Sequence, residues 1–178
     1  MIPAPAPFDG RYARQFLAGW GTMDFNGHLA NTAYLDLAAD VRLAFFADHG
    51  FPPNEFRRLA IGPVIRKEEL EYFREIGLYE TVTVTFATLG LSADGARFIV
   101  ENEIWSGAGE GERAATIRST GGWLDLRARR LVAPPAELRD ALLQVPRAPG
   151  FVELAPRSNR DERAASKPPA ESAVRPEA

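Results

Sequence analysis

Between Asp24 and Asn31 the chain reads DFNGHLAN, placing an acid, a glycine, a histidine and an asparagine within eight positions just before a helical pattern. A carboxylate such as Asp24 can act on a carbonyl carbon in two ways, as a general base that aligns water or as a nucleophile. Whatever it attacks develops negative charge, and a helix start stabilises such charge through its unpaired N–H groups and dipole. Gly27 suits a loop that must approach another molecule closely, since it has no Cβ. His28 can hydrogen-bond that loop or a ligand. The same residues also make an ordinary turn, with Asp and Asn bonding nearby backbone and Asn26-Gly27 closing it tightly. Local spacing leaves both readings open.

The elements around this stretch decide what it can do. NTAYLDLAADVRLAFFADHG, residues 31–50, puts Ala33, Leu37, Val41, Ala44 and Phe45 on one helical face. Asn31 or Thr32 serves as N-cap and Gly50 as the stop. Its polar positions are few, mainly Asp36, Asp40, Arg42 and Asp48, which predicts a helix embraced by something large. RYARQFLAGW before it supplies a first strand. After it the period changes to two: ETVTVTFATL alternates Val82, Val84 and Phe86 with Thr81, Thr83 and Thr85, as a half-buried strand does. ADG at 93–95 and GAGEGE from Gly107 connect it to ARFIVENEIWS and RAATIRSTGGWLDL in an antiparallel meander. AIGPVIRKEELEYFREI adds a further strand, bent where its charges cluster. One apolar helix and about five strands must bury their faces on each other, which predicts an α+β domain with the sheet curled round the helix.

Composition restricts the rest. The 178 residues suffice for one core, and the two ends lack the apolar content to join it. The expected division is a flexible tail over 1–9, a single domain over 10–150 and a Pro/Ala/charged tail over 151–178. Absence of cysteine excludes thiolate metal sites and a cysteine nucleophile. A net charge of −3 with both signs interspersed offers no nucleic-acid footprint. No basic leader with an apolar run opens the chain and no run of about eighteen apolar residues occurs, so no membrane partner and a cytoplasmic location are expected.

Asp24-x-x-Gly27-His28-x-x-Asn31-x-x-Tyr34-Leu35, in this order of elements, resembles the hotdog-fold acyl-CoA thioesterases of the 4-hydroxybenzoyl-CoA type. The segment EYFREIGLYETVTVTFATLG is similar to that family's lead into its central strand, and the likeness spans roughly Arg11 to Leu143. Two motif positions depart from the family, with Thr22 where it has an acid and Ala30 where it has a first asparagine. The resemblance implies hydrolysis of an acyl-CoA with Asp24 as base or nucleophile and the Asn31 backbone N–H as oxyanion donor. It places Gly27 and His28 at the substrate and implies no cofactor and no metal. It also implies a homodimer, or a dimer of dimers, with the site shared between chains. Two alternatives follow from Thr22 and Ala30: a non-catalytic module that binds acyl thioesters or a partner protein, and a thioesterase acting on acyl-carrier protein.

Other constellations fail. No G-x-S-x-G or H-E-x-x-H occurs, and His28 and His49 lack metal-ligand spacing. GAGEGE lies between strands, as a hairpin loop does and a phosphate loop does not. Asp36 and Asp40 compete with Asp24 as helix-borne acids, though their place in the first turns suits a solvated pair. Arg127, Arg129 and Arg130, after the last meander strand, are basic enough to meet the phosphates of coenzyme A. Trp20, Phe25, Tyr72 and Phe73 permit an aromatic or medium-length acyl group.

Overall fold

A computed structural model describes residues 10–107 and 111–156, with the backbone of Ile2–Pro3 in addition. Most of the expected tails, 4–9 and 157–178, and the centre of the GAGEGE loop lie outside the described residues. The elements run β1 (Ile2–Pro3), β2 (Tyr12–Leu17), α1 (Asn31–Asp48), α2 (Pro53–Leu59), β3 (Ile61–Tyr72), β4 (Thr81–Ser92), β5 (Arg97–Ser106), β6 (Arg113–Asp125), β7 (Arg130–Val132), α3 (Ala136–Leu143) and β8 (Arg147–Leu154).

Among the described residues these strands form one sheet in the order β1-β2-β4-β5-β6-β3, with β7 on β6 and β8 on β4. The meander β4-β5-β6 is antiparallel throughout. The expected five strands are its central run, and the sheet wraps α1 as the hotdog arrangement requires. β3 closes one side and, among the described residues, pairs only with β6 and leaves its other edge open. It bends where its register shifts between Ile65 and Lys67, at the charged stretch that the sequence singles out.

Ala38, Val41, Phe45 and Phe46 of α1 meet Val84, Phe86, Ile104, Ile117 and Trp123 of the sheet in one continuous core. Phe46 and Trp123 pack edge to face at 5.7 Å. The helix is capped by Ala30, without a side-chain bond, so neither Asn31 nor Thr32 is its N-cap; both lie inside the helix. β4 is buried on both faces, Thr83 and Thr85 included, and the hydroxyls of these threonines donate to the Gly107 and Glu103 carbonyls at 3.0 and 3.4 Å. It is not the half-buried strand that alternation predicts.

Among the elements that the sequence reading left unassigned are α2, α3 and β8. α2 begins with Pro53 at its first turn, a position suited to its fixed φ. α3 seals the core with Leu138 and Leu142. β8 pairs parallel with β4 at Thr88–Ser92, beyond the stretch that β2 occupies. It runs to Leu154, across the expected boundary at 150.

Candidate active site

Asp24 lies at the start of a tight loop closed by its own backbone. Its N–H donates to the His28 carbonyl at 2.8 Å, and Gly27 N–H donates to the Asp24 carbonyl at 3.1 Å. Gly27 has φ of +80°, the left-handed conformation that a side chain disfavours, and so carries the turn. The Asp24 carboxylate is anchored by one oxygen. Oδ1 accepts from the backbone N–H of Asn26 at 2.8 Å and of His28 at 3.2 Å. Oδ2 has only a 3.5 Å contact with Asn26 Nδ2, which leaves it free to act on a ligand. Desolvation, the largest single influence, would raise the carboxyl pKa, but the hydrogen bonds from His28 and Asn26 together outweigh it and hold the pKa below the usual carboxylate value. The turn that the sequence predicts is present, and it holds an ionised acid in place.

Two backbone bonds dock this loop on the rest of the chain. Leu29 N–H donates to the Ile76 carbonyl at 2.8 Å, and Ala30 N–H donates to the Thr22 carbonyl at 2.8 Å. Asn31 follows as the first residue of α1, and its N–H has no hydrogen bond among the described residues, as a helix start requires. Asp24, His28 and Asn31 line one open cleft of about 400 Å³ together with Tyr34, Tyr72, Phe73, Arg74 and Glu75. An acid and an unpaired helix-terminal donor therefore face the same space. Thr22 is used structurally, since its hydroxyl donates to the Gly19 carbonyl at 2.8 Å and its carbonyl accepts from Ala30.

His28 Nε2 lies 3.6 Å from a Glu75 carboxylate oxygen, an ion pair whenever the ring is protonated. Its backbone has the clearer role, bridging to Gly77 and bonding Asp24. Tyr72, read from the sequence only as an aromatic that permits an aromatic or medium-length acyl group, and Arg74, which the sequence did not single out, both line the cleft. The Tyr72 hydroxyl donates to the Asn31 carbonyl at 3.2 Å, and its ring meets Tyr34 edge to face at 5.0 Å. Arg74 donates to Ser106 Oγ at 2.8 Å and lies 3.5 Å from Glu80, held beside the cleft. Only the long-range pairing of loop and strand brings them there, so local patterns carried no signal for either.

Arg127, Arg129 and Arg130 are not part of this cleft in one chain. They follow β6 at the turn where Asp125 Oδ1 accepts from Arg127 and Ala128 N–H, next to the Ile61 end of β3. Tyr72 is at the other end of that twelve-residue strand, roughly 35 Å away at about 3.3 Å per residue. Asp36 and Asp40 are exposed on α1. Arg42, read as one of the few polar positions of the helix, is instead turned into the layer between helix and sheet. Its Nε donates to Asn102 Oδ1 at 2.8 Å and an Nη to Ser119 Oγ at 2.7 Å. No group of three or more metal-ligating side chains occurs among the described residues. Among them no helix is long and apolar enough to cross a membrane.

The model of the thioesterase-like superfamily matches residues 18–142, from the loop that carries Asp24 to the end of α3. The chain belongs to that superfamily. It is a thioesterase on a hotdog fold. Solved structures agree on the fold. SAV2348 from Staphylococcus aureus, solved in complex with CoA, is 21% identical with a TM-score of 0.68, over 82% of this chain and 85% of its own. Slr0204 from Synechocystis, a 1,4-dihydroxy-2-naphthoyl-CoA thioesterase, is 12% identical with a TM-score of 0.67, over 76% of this chain and 98% of its own. The gentisyl-coenzyme A thioesterase BH1999 is 19% identical with a TM-score of 0.64, over 72% and 98%. No curated relative matches the sequence.

Proposed function

We propose that this thioesterase hydrolyses acyl-CoA with Asp24 as the reacting carboxylate and the Asn31 N–H as the oxyanion donor. The observation that carries the assignment is their shared cleft: an ionised carboxylate with one oxygen free, facing the unpaired first N–H of α1. The carboxylate, as base, takes a proton from water while the hydroxide portion attacks the thioester carbonyl. As nucleophile it forms a mixed anhydride that water then opens. Either way the carbonyl oxygen gains charge beside Asn31, and collapse of the intermediate expels the CoA thiolate, which is protonated to the thiol. Gly27 lets the loop come close to the thioester, and His28 fixes it.

The working form we propose is a homodimer through β3. Among the described residues that strand has one unpaired edge, and Phe25 and Trp20, beside Asp24 in the chain, are 98% and 77% exposed. An open edge and exposed aromatics both favour a second copy. Antiparallel pairing of two β3 edges lays the Ile61 end of one copy beside the Tyr72 end of the other. It thereby carries the second copy's Arg127, Arg129 and Arg130 toward the cleft, where the phosphates of CoA would meet them. A free-thiol assay across acyl-CoA thioesters tests the reaction. The same acyl group on carrier protein, turned over faster than on CoA, would favour the carrier as substrate. Saturable binding with no hydrolysis would favour a non-catalytic module.

A further inference from the structure

Two tyrosines line the Asp24 cleft, and their hydroxyls are used differently. That of Tyr72 is committed, since it donates to the Asn31 carbonyl at 3.2 Å. That of Tyr34 has no hydrogen-bond partner among the described residues, although Tyr34 is only 3% exposed. A phenol on so buried a side chain ordinarily finds a partner, because leaving it unpaired costs about 1–3 kcal/mol. Among the described residues, the side-chain polar atoms sealed in without a partner belong to Arg11, Thr88 and Arg139. The Tyr34 hydroxyl is not one of them, so it opens on the cleft that its residue lines.

The helix decides where in the cleft it opens. Tyr34 follows Asn31 by three residues in α1 and lies on the same side of the first turn. Side chains on a helix lean back toward its N-terminus and cover the turn before their own Cα. From Tyr34 back to Asn31 is roughly 4.5 Å along the axis, a distance that a phenol spans. Tyr72 holds the ring in place edge to face, with the centroids 5.0 Å apart. The free hydroxyl is thereby set toward the end of the helix that carries the free Asn31 N–H.

The chemistry of a thioester says what a donor there is for. A carbonyl oxygen that turns into an oxyanion has lone pairs for two donors, and one N–H fills only one of them. The leaving thiol makes no comparable demand: with a pKa near the ~8.5 of a cysteine side chain, it departs as the thiolate without an acid. Burial pushes the Tyr34 phenol above its ordinary 10.0, and Tyr72, Glu80 and Asp24 add to the rise against the pull of Arg74. The phenol therefore keeps its proton and donates.

We propose that the Tyr34 hydroxyl is a second oxyanion donor, acting with the Asn31 N–H on the thioester carbonyl oxygen. The inference rests on the assignment of the Asp24 cleft to thioester hydrolysis. No bond to the phenol forms or breaks: it stays protonated while charge gathers on the carbonyl oxygen and returns to expel the thiolate. Tyr72 then steadies both donors, through its hydroxyl on the Asn31 peptide and its ring on that of Tyr34.

Tyr34→Phe keeps the ring and removes only the donor. With the best acyl-CoA its kcat is expected to fall at least about ten-fold, toward the roughly 10²–10³ that loss of an oxyanion donor costs. Calorimetric binding of the matching S-alkyl-CoA thioether, which has no carbonyl, is expected to be unchanged. A smaller fall in kcat, or a loss that appears equally in thioether binding, overturns the proposal. The thiophenyl ester of the same acid carries a leaving group that needs no assistance. The defect is expected to persist with it, and a defect that vanishes would put the hydroxyl at the sulfur and overturn the proposal as well. In a second variant, 3,5-difluorotyrosine at position 34 keeps the shape of the side chain and lets the phenol ionise at lower pH. The alkaline limb of kcat is expected to move down with it; an unmoved limb overturns the role, and this variant carries the test alone should Tyr34→Phe fail to fold. Asp24→Asn separates the two readings. An inactive Asp24→Asn beside a fully active Tyr34→Phe removes Tyr34 alone, whereas no thiol release from any thioester removes the hydrolase reading and the oxyanion role with it.

Discussion

The Tyr72 hydroxyl donates to the Asn31 carbonyl at 3.2 Å, tying the last residue of the edge strand to the first residue of the helix. Both residues line the cleft that holds Asp24, so a residue of β3 helps to set where the proposed oxyanion donor stands. Tyr72→Phe removes the bond and keeps the ring on Tyr34. One neutral hydrogen bond is worth about 1 kcal/mol, so kcat/KM is expected to fall about five-fold. Steady-state kinetics with the best acyl-CoA reads this directly, and a fall beyond a hundred-fold would show that the hydroxyl touches the reacting atoms.

Asp24→Asn keeps a side-chain carbonyl for the Asn26 and His28 N–H groups and removes the charge. The loop therefore persists while the reaction loses its base or nucleophile, and turnover is expected to drop roughly 10²–10⁴-fold. Thiol release at saturating substrate, with circular dichroism to show an unchanged fold, decides the matter; wild-type turnover in the variant would remove Asp24 from the mechanism.

The pH profile carries the same assignment. The N–H donors depress the carboxyl pKa of Asp24 below its ordinary 3.8, so the acid is ionised through the neutral range. Activity that needs the carboxylate is fully present above that value and is lost only as pH falls through the depressed one. The acid limb of kcat/KM is expected below pH 3.8, and a limb well above that value would show that Asp24 is not the group that sets it.

Gly27→Ala meets no steric obstacle, since nothing lies within 4 Å of the added carbon, yet it must hold φ at +80°. The cost is conformational, about 1–2 kcal/mol. Because the turn carries Asp24, we expect a larger loss in kcat than in thermal stability, measured by kinetics beside a melting curve.

Gly121→Ala should do the reverse. Its Cβ would stand 2.3 Å from the Val64 carbonyl and 2.7 Å from the Phe98 ring, with backbone on one side and core on the other. Overpacking of this kind costs roughly 1–3 kcal/mol, which chemical denaturation would register as a lower midpoint.

Periodicity made the helix and the meander legible, because both bury one face and repeat their apolar residues at its spacing. The short pieces were not. β8 contains Pro149 and Gly150 and pairs parallel with β4, a partner nearly sixty residues earlier, so no local pattern announces it. Thr83 and Thr85 misled because alternation reports polarity and not cover, and β4 is buried from both sides. At the site, Asp24 and Asn31 were readable because loop and helix start adjoin in sequence. Tyr72 and Arg74 arrive through the pairing of distant segments, and the arginines at 127, 129 and 130 are distant from the cleft of their own chain.

Arg42 also bears on how α1 seats itself. The aspartates at 36 and 40 keep one face of the helix outward, and Arg42 fixes the opposite, inward side at a definite point of the sheet. The guanidinium, caught between Asn102, Ser119 and Glu68, acts as a key in a lock. Only one rotation lets it turn, and that rotation aims Asn31 into the cleft. Replacing Arg42 with methionine would keep the bulk and lose the key, leaving Asn102, Ser119 and Glu68 without the guanidinium that joins helix to sheet.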